Sequence, residues 1–181
     1  MRGLPDPGFA GDEGDADEAL RAGLAAYDEQ PDVRDRWLDA LAALQDTRVL
    51  VPVVAEPSGG RAEPSGGRAE SSGGRAESRP LTEEKETDMA AVLMRSRSGR
   101  TALLAFTGLA SLQTWDPAAR PVPVAVPDAA RAALQNGAEA LVVDVAGPVL
   151  FAVEGEDLRS LAGGERLARV GAAGWGWVRP G

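Results

Sequence analysis

A tandem heptapeptide repeat interrupts this chain and limits how it can fold. The sequence Glu-Pro-Ser-Gly-Gly-Arg-Ala of residues 56–62 recurs over 63–69, and again over 70–76 with Ser71 in place of the proline. The period does not predict a coiled coil, because alanine is the only apolar residue in each unit and two adjacent glycines would break a helix. We therefore predict a disordered insert over residues 55–87, and the segments before and after it must share one core.

Two absent residue types exclude several kinds of site. The 181 residues include no cysteine and no histidine. This sequence therefore offers no disulfide framework, zinc ribbon or thiol nucleophile. It also offers no Ser-His-Asp triad and no His-ligated metal. Neither absence assigns a function.

Most of the net charge of −9 lies outside the segments predicted to be ordered. Residues 1–17 contribute −4 and residues 55–88 contribute −3. Each arginine of the repeat is matched by a glutamate, so we expect binding neither to nucleic acid nor to an anionic membrane. The first 14 residues contain no apolar stretch typical of a secretory signal, and no apolar run reaches the length of a spanning helix. We therefore expect a cytoplasmic protein.

Two helices and a strand are predicted before the insert. Residues 1–17 are rich in Gly, Pro and Asp, and we predict an acidic, disordered N-terminus. Apolar residues at helical spacing predict one helix from Glu18 and a second after Pro31. The β-branched run over residues 48–54 predicts a strand, in which Pro52 indicates an edge position or a bulge.

Short strands and helices are predicted to follow the insert. Residues 89–95 and 100–106 predict a hairpin. Thr107 is expected to cap a short helix that ends at Asp116-Pro117. The later predicted elements, in chain order, are an extended piece (121–126), a helix (127–136, with Leu134 inward), two strands (140–145 and 149–153) and a helical turn or two (156–161).

This order of elements predicts an α+β fold. We expect a single mixed, largely antiparallel sheet of about five strands with helices packed on it. The domain is predicted to span residues 18–165, interrupted by the insert. Residues 166–181 are predicted as a tail rich in Trp and Gly, and the sequence does not decide whether this tail is ordered.

Part of the sequence resembles the N-terminal domain of the SseB family, as found in actinobacterial proteins. The resemblance covers about residues 33–162 apart from the insert, which departs from the family pattern. It implies a soluble bacterial domain of poorly defined role, in a family named for an effect on serine sensitivity, with no established catalytic residues. The matching residues are Val49–Val54, Phe106-Thr107, Leu112, Trp115-Asp116-Pro117, Arg120–Val124, Ala140–Asp144 and Gly147-Pro148.

Candidate binding residues lie in the segment of the resemblance around the short helix. Phe106, Thr107, Trp115, Asp116 and Pro117 combine aromatic side chains with turns bounded by proline. Such a segment could present a preorganised contact to a protein partner. The alternative is that Phe106 and Trp115 are core residues and that the other three mark the start and end of a helix.

Asp144 is the best candidate for chemistry among the carboxylates. Alternation along the predicted strand places Asp144 on the face opposite its apolar neighbours, near the strand end. Paired carboxylates could hold Mg²⁺ or act as acid and base if Glu139, Asp116 or Asp128 converged on Asp144. Their spacing forms no motif, and the simpler interpretation is an aspartate at a strand edge or cap.

These observations favour a non-catalytic domain with no metal and no cofactor. We expect a protein-interaction or binding module whose partner is an unidentified protein. The alternative is a sensor domain in which a pocket between sheet and helix takes a small, amino-acid-like metabolite. An enzyme that uses carboxylates and Mg²⁺ is a third, weaker alternative.

Overall fold

The computed structural model describes residue 9, residues 11–55 and residues 89–180. The predicted insert beyond residue 55 lies outside the described residues, as do residues 1–8 and 10 of the predicted N-terminal segment. The helices, in chain order, are α1 (Glu18–Glu29), α2 (Arg34–Gln45), α3 (Leu109–Trp115), α4 (Val126–Gln135) and α5 (Gly155–Ala162). The strands, in chain order, are β1 (Arg48–Ala55), β2 (Met89–Ala91), β3 (Leu93–Arg95), β4 (Thr101–Ala105), β5 (Arg120–Ala125), β6 (Ala140–Val143), β7 (Phe151–Glu154), β8 (Arg166–Arg169) and β9 (Trp175–Val178).

The strands form three sheets, which confirms the α+β class but not the predicted architecture. Their orders are β2-β1-β5, β3-β4-β6-β7 and β8-β9. The pair β4–β6 is parallel, and the other five pairs are antiparallel. The prediction of one sheet of about five strands was therefore wrong. None of the helices in the described part of the chain is long and apolar enough to cross a membrane.

Pro52 marks the place where the first two sheets separate. Leu50 exchanges backbone hydrogen bonds with Phe106 at 2.7 and 2.9 Å, which joins β1 to the residue after β4. The backbone polar groups of Pro52 point to the same side of β1 as those of Leu50, because orientation along a strand repeats every two residues. It has no N–H to continue that ladder, and its carbonyl accepts from the N–H of Val92 at 3.2 Å. The predicted strand is confirmed, but it lies between β2 and β5 rather than at an edge.

The larger core lies under α1, α2, α4 and α5 and is centred on aromatic packing. Phe151 of β7 is fully buried. The ring of Tyr27 meets it edge-on at 5.4 Å between centroids, and the ring of Trp37 stacks on it at 5.5 Å. These two aromatic residues of α1 and α2 thereby attach the helical layer to the second sheet.

Helix α4 faces this core with small side chains. Ala129, Ala130 and Ala133 are fully buried, whereas Leu134 is 38% exposed. The expectation that Leu134 faces inward was wrong, because the buried stripe starts at Val126 and follows the alanines. Alanine faces let helix backbones approach closely, and α4 packs against α5 in this way.

A smaller core on the other side of the second sheet contains Phe106. Its side chain is fully buried, and its ring lies 5.5 Å from the ring of Trp115 between centroids. Leu104 and Leu112 complete the buried contact between β4 and α3. These two aromatic residues are therefore part of a core, as the second of the two sequence interpretations predicted.

The C-terminal residues form a hairpin that docks on α2. The buried side-chain amide of Gln45 donates to the carbonyl of Leu167 at 2.9 Å, and the N–H of Leu167 donates to Gln45 Oε1 at 2.8 Å. The indole N–H of Trp177 donates to Asp157 of α5 at 3.0 Å. The question that the sequence left open is thereby answered, since β8 and β9 are packed against the domain.

Candidate functional site

The candidate site lies where the parallel strands β4 and β6 end. Ala105 pairs with Val143 at this edge, and the N–H of Asp144 donates to the carbonyl of Ala105 at 3.0 Å. Thr107 follows β4 after one residue, and Asp144 follows β6 directly. Because parallel strands place their carboxyl ends at one edge, Thr107 and Asp144 become neighbours although 37 residues separate them.

Asp144 is a buried carboxylate that three hydrogen bonds hold in place. Only 3% of the residue is exposed. Its Oδ1 accepts from the Thr107 N–H at 2.9 Å and from Ser111 Oγ at 2.6 Å, and its Oδ2 accepts from Thr107 Oγ1 at 2.6 Å. Within the described residues it forms no salt bridge. Hydroxyl and amide donors therefore replace a cationic partner.

The backbone of Asp144 also adopts an unusual conformation. Its φ is 54°, and it is the only residue other than glycine with positive φ among the described residues. Aspartate tolerates this region better than most L-residues. The turn that follows closes through a bond from the Gly147 N–H to the Asp144 carbonyl at 2.9 Å. A Cβ on Gly147 would lie 2.7 Å from the Asp144 Cβ, so the turn requires glycine there.

Thr107 has a different role from the predicted helix cap. The cap residue of α3 is Gly108, and no side chain caps this helix. The hydroxyl of Thr107 bonds to Asp144 instead. The sequence-based expectation was wrong because α3 begins one residue later than predicted, so Thr107 does not occupy the cap position.

Ser111 belongs to the site, although sequence reasoning missed it. Its Oγ lies 2.6 Å from Asp144 Oδ1 and 3.0 Å from the carbonyl of Gly108. The only signal in the sequence was its position four residues after Thr107, which places both on one side of a helix start. That signal is too common to single out a residue.

Thr107, Ser111 and Asp144 line a cavity of about 550 Å³. A volume of this size falls within the roughly 300–1,000 Å³ that is usual for small-molecule sites. Leu24 supplies apolar surface from α1, and Arg21 supplies a guanidinium. The other lining residues are Gly14, Asp15, Ala16, Ala25, Gly108, Ala110, Pro148 and Val149.

Residues 12–16 are here named the strap, and three of them, Gly14, Asp15 and Ala16, line this cavity. The side chain of Arg48 is only 10% exposed and forms a salt bridge with Asp12. Its guanidinium also donates to the carbonyl of Asp15 at 2.6 Å and to the carbonyl of Thr107. The sequence predicted disorder over residues 1–17, but the strap is held against the domain because Arg48 satisfies its polar groups.

The salt bridge between Arg48 and Asp12 shifts the pKa of both groups. The hydrogen bond from Arg48 is the main cause that lowers the pKa of Asp12 to about 2. The same bond raises the pKa of Arg48 above its ordinary value. Both groups are therefore charged at neutral pH, and the salt bridge is complete there.

The remaining sequence candidates lie outside the cavity. Asp116 accepts from the N–H of Ala118 at 2.8 Å, and Trp115 and Pro117 do not line the cavity. Glu139 pairs with Arg100, and Asp128 pairs with an arginine one turn away on α4. The structure therefore does not bring Asp116, Asp128 and Glu139 together with Asp144. Across residues 11–55 and 89–180 no group of three or more acidic side chains is arranged to hold a metal ion.

Comparison with known proteins agrees with the resemblance seen in the sequence. A search of curated proteins found no match. A search of solved structures found none either. The family model of the SseB protein N-terminal domain matches residues 20–160, which include most of α1, the parallel strand pair, Thr107, Ser111 and Asp144. Because this match spans well over half of the chain, the protein belongs to the SseB family.

Proposed function

We propose that this protein is a non-catalytic binding domain whose cavity holds a small, amino-acid-like ligand. The observation that carries the proposal is the buried Asp144 carboxylate with two hydroxyl groups at the wall of a cavity of about 550 Å³. A pocket with a few convergent polar groups among apolar ones has the composition of a ligand site.

The wall formed by these groups favours a ligand that donates hydrogen bonds. The hydroxyl protons of Thr107 and Ser111 point to Asp144, so each oxygen offers only lone pairs to a ligand. The carboxylate adds negative charge to the same wall. A ligand ammonium group satisfies both conditions, because it has three donors and a positive charge.

Arg21 supplies the opposite charge at the same cavity. It lines the cavity from α1 and forms no ion pair within the described part of the chain. A guanidinium binds carboxylate in a fork geometry. Asp144 and Arg21 line the same cavity with opposite charges, and this pairing favours a ligand that carries both an ammonium and a carboxylate.

Two of the other functions have less support. A protein contact through the Phe106 segment would lack its main aromatic residue, because Phe106 is fully buried. The enzyme considered from the sequence would use paired carboxylates with Mg²⁺. Among the described residues, Asp116, Asp128 and Glu139 make other contacts and do not converge on Asp144.

Calorimetric titration with three probes tests the proposal. Glycine carries both charged groups, ethanolamine carries only the ammonium, and glycolate carries only the carboxylate. We expect the wild-type chain to bind glycine more tightly than either single-charge probe. A ligand at about 100 times its Kd should stabilise the fold by about 2.7 kcal/mol, which a thermal shift would detect.

Variants of two arginines sharpen this test. Arg21→Ala should weaken glycine binding about tenfold or more while leaving ethanolamine binding nearly unchanged, because only the carboxylate contact is lost. Arg166→Ala is the matched control, since it removes an exposed arginine that pairs with Asp46 away from the cavity. No binding of any probe to the wild-type chain, or equal loss in both variants, would contradict the proposal.

A further inference from the structure

We infer that the strap is a gate beside the opening of the cavity, held in place by Arg48, and that its detachment widens the access for a ligand. This inference rests on the proposed function, because it concerns access to the same site. The strap supplies Gly14, Asp15 and Ala16 to the wall of this partly open cavity, so its removal would widen the opening.

Arg48 holds the strap through contacts at both of its ends. Its guanidinium binds the Asp12 carboxylate and also donates to the carbonyl of Asp15. Asp12 in turn accepts from the N–H of Gly14 at 2.9 Å, which shapes the strap between those two points. The held segment buries little apolar side chain of its own, so these polar contacts decide whether it is docked.

The docked strap also fits closely against the start of α3. The N–H of Leu109 donates to the carbonyl of Gly14 at 2.7 Å. A Cβ on Gly108 would lie 2.9 Å from the Ala16 nitrogen and 3.0 Å from the Gly14 oxygen. The backbone of Gly108 is extended, with φ of −157°, so alanine there is compatible with the fold but not with the docked strap.

Thr107 connects the Arg48 contact with the cavity wall. Its carbonyl accepts from Arg48, and its N–H and hydroxyl both donate to Asp144. A ligand that moves the Asp144 carboxylate would therefore move the residue that Arg48 holds. Binding in the cavity and docking of the strap are coupled through this one residue.

Cysteine labelling measures the gate without any ligand. These 181 residues contain no cysteine, so Ser111→Cys introduces a single thiol at the cavity wall. The rate at which this thiol reacts with a charged reagent reports how often the strap is detached. Leu161→Cys, placed at a fully buried position in α5 outside the cavity, reports opening of the whole domain.

Two variants open the gate by different means. Asp12→Ala removes the salt bridge with Arg48, and Gly108→Ala introduces the steric conflict with the strap backbone. Asp12→Ala should speed the labelling of Cys at position 111 about tenfold, which is the scale of losing charge-assisted hydrogen bonds. Gly108→Ala should act in the same direction through the steric conflict with the strap. Labelling at position 161 should not change. Asp46→Ala is the matched control, because it removes an exposed salt bridge with Arg166 outside the strap.

The outcomes separate this inference from the proposed function. Labelling at position 111 that is equally fast with and without Asp12→Ala and Gly108→Ala would overturn the gate. Acceleration at positions 111 and 161 together would also overturn it, because the variants would then act on the whole fold. Faster labelling only at position 111 would support the gate even if glycine, ethanolamine and glycolate all failed to bind.

Discussion

Replacing Asp144 tests whether its carboxylate holds the cavity wall together. In Asp144→Ala the buried N–H of Thr107 loses its acceptor, which costs about 1–3 kcal/mol. The hydroxyl of Ser111 retains the Gly108 carbonyl at 3.0 Å as a second acceptor, so it adds little to that cost. Alanine at φ of 54° adds about 1–2 kcal/mol of backbone strain. We therefore expect a loss of about 2–5 kcal/mol in the free energy of unfolding.

Two further substitutions at this position separate the two costs. Asp144→Gly loses the same hydrogen bonds but adopts positive φ without strain, so it should be about 1 kcal/mol more stable than Asp144→Ala. Asp144→Asn keeps one acceptor oxygen and also tolerates positive φ. It should lose only about 1 kcal/mol, the difference between a charged and a neutral acceptor.

Urea denaturation followed by tryptophan fluorescence measures all three variants. The expected order of stability is wild type, then Asp144→Asn, then Asp144→Gly, then Asp144→Ala. A loss below about 1 kcal/mol for Asp144→Ala would refute the argument, because the carboxylate would then contribute no more than an exposed residue. If Asp144→Gly were less stable than Asp144→Ala, the attribution of part of the loss to backbone strain would be refuted.

Three other perturbations have defined outcomes. Gln45→Ala leaves the N–H and carbonyl of Leu167 without partners, and urea denaturation should show a loss of about 2–4 kcal/mol. Gly137→Ala has open space around its Cβ but φ of 72°, so the same assay should show a loss of about 1–2 kcal/mol from strain alone. Asp12 has its pKa lowered to about 2 from 3.8, so the salt bridge with Arg48 stabilises the fold fully above pH 3.8 and this contribution disappears as the pH falls through about 2. The stability difference between wild type and Asp12→Ala should narrow over that interval, and a constant difference would contradict the assignment.

Local sequence patterns predicted the elements whose formation depends on residues close together in the chain. The helix from Glu18 and the hairpin around Gly99 follow from apolar spacing and turn chemistry, and the structure contains both. The resemblance to the family is likewise confirmed, because the family model matches residues 20–160. Asp144 was predicted near a strand end, and it directly follows β6.

The sequence could not predict features that depend on distant residues. Thr107 looked like a helix cap because its partner lies 37 residues away in the chain. Residues 11–17 looked disordered because the arginine that holds the strap, Arg48, lies on β1. The division of β1–β7 into two sheets depends on Pro52, which has no N–H to offer to a neighbouring strand. Which strand pairs with which cannot be read from a local sequence pattern.

A titration observed by amide NMR tests the central claim, that the cavity binds an amino-acid-like ligand, most directly. Glycine added to the labelled protein should shift the N–H signals of Thr107 and Ser111, because one bonds to Asp144 and both residues line the cavity. The N–H of Leu167, bonded to Gln45 outside the cavity, is the reference and should not move. No shift at Thr107 and Ser111 with saturating glycine, or a larger shift at Leu167, would contradict a ligand site at Asp144.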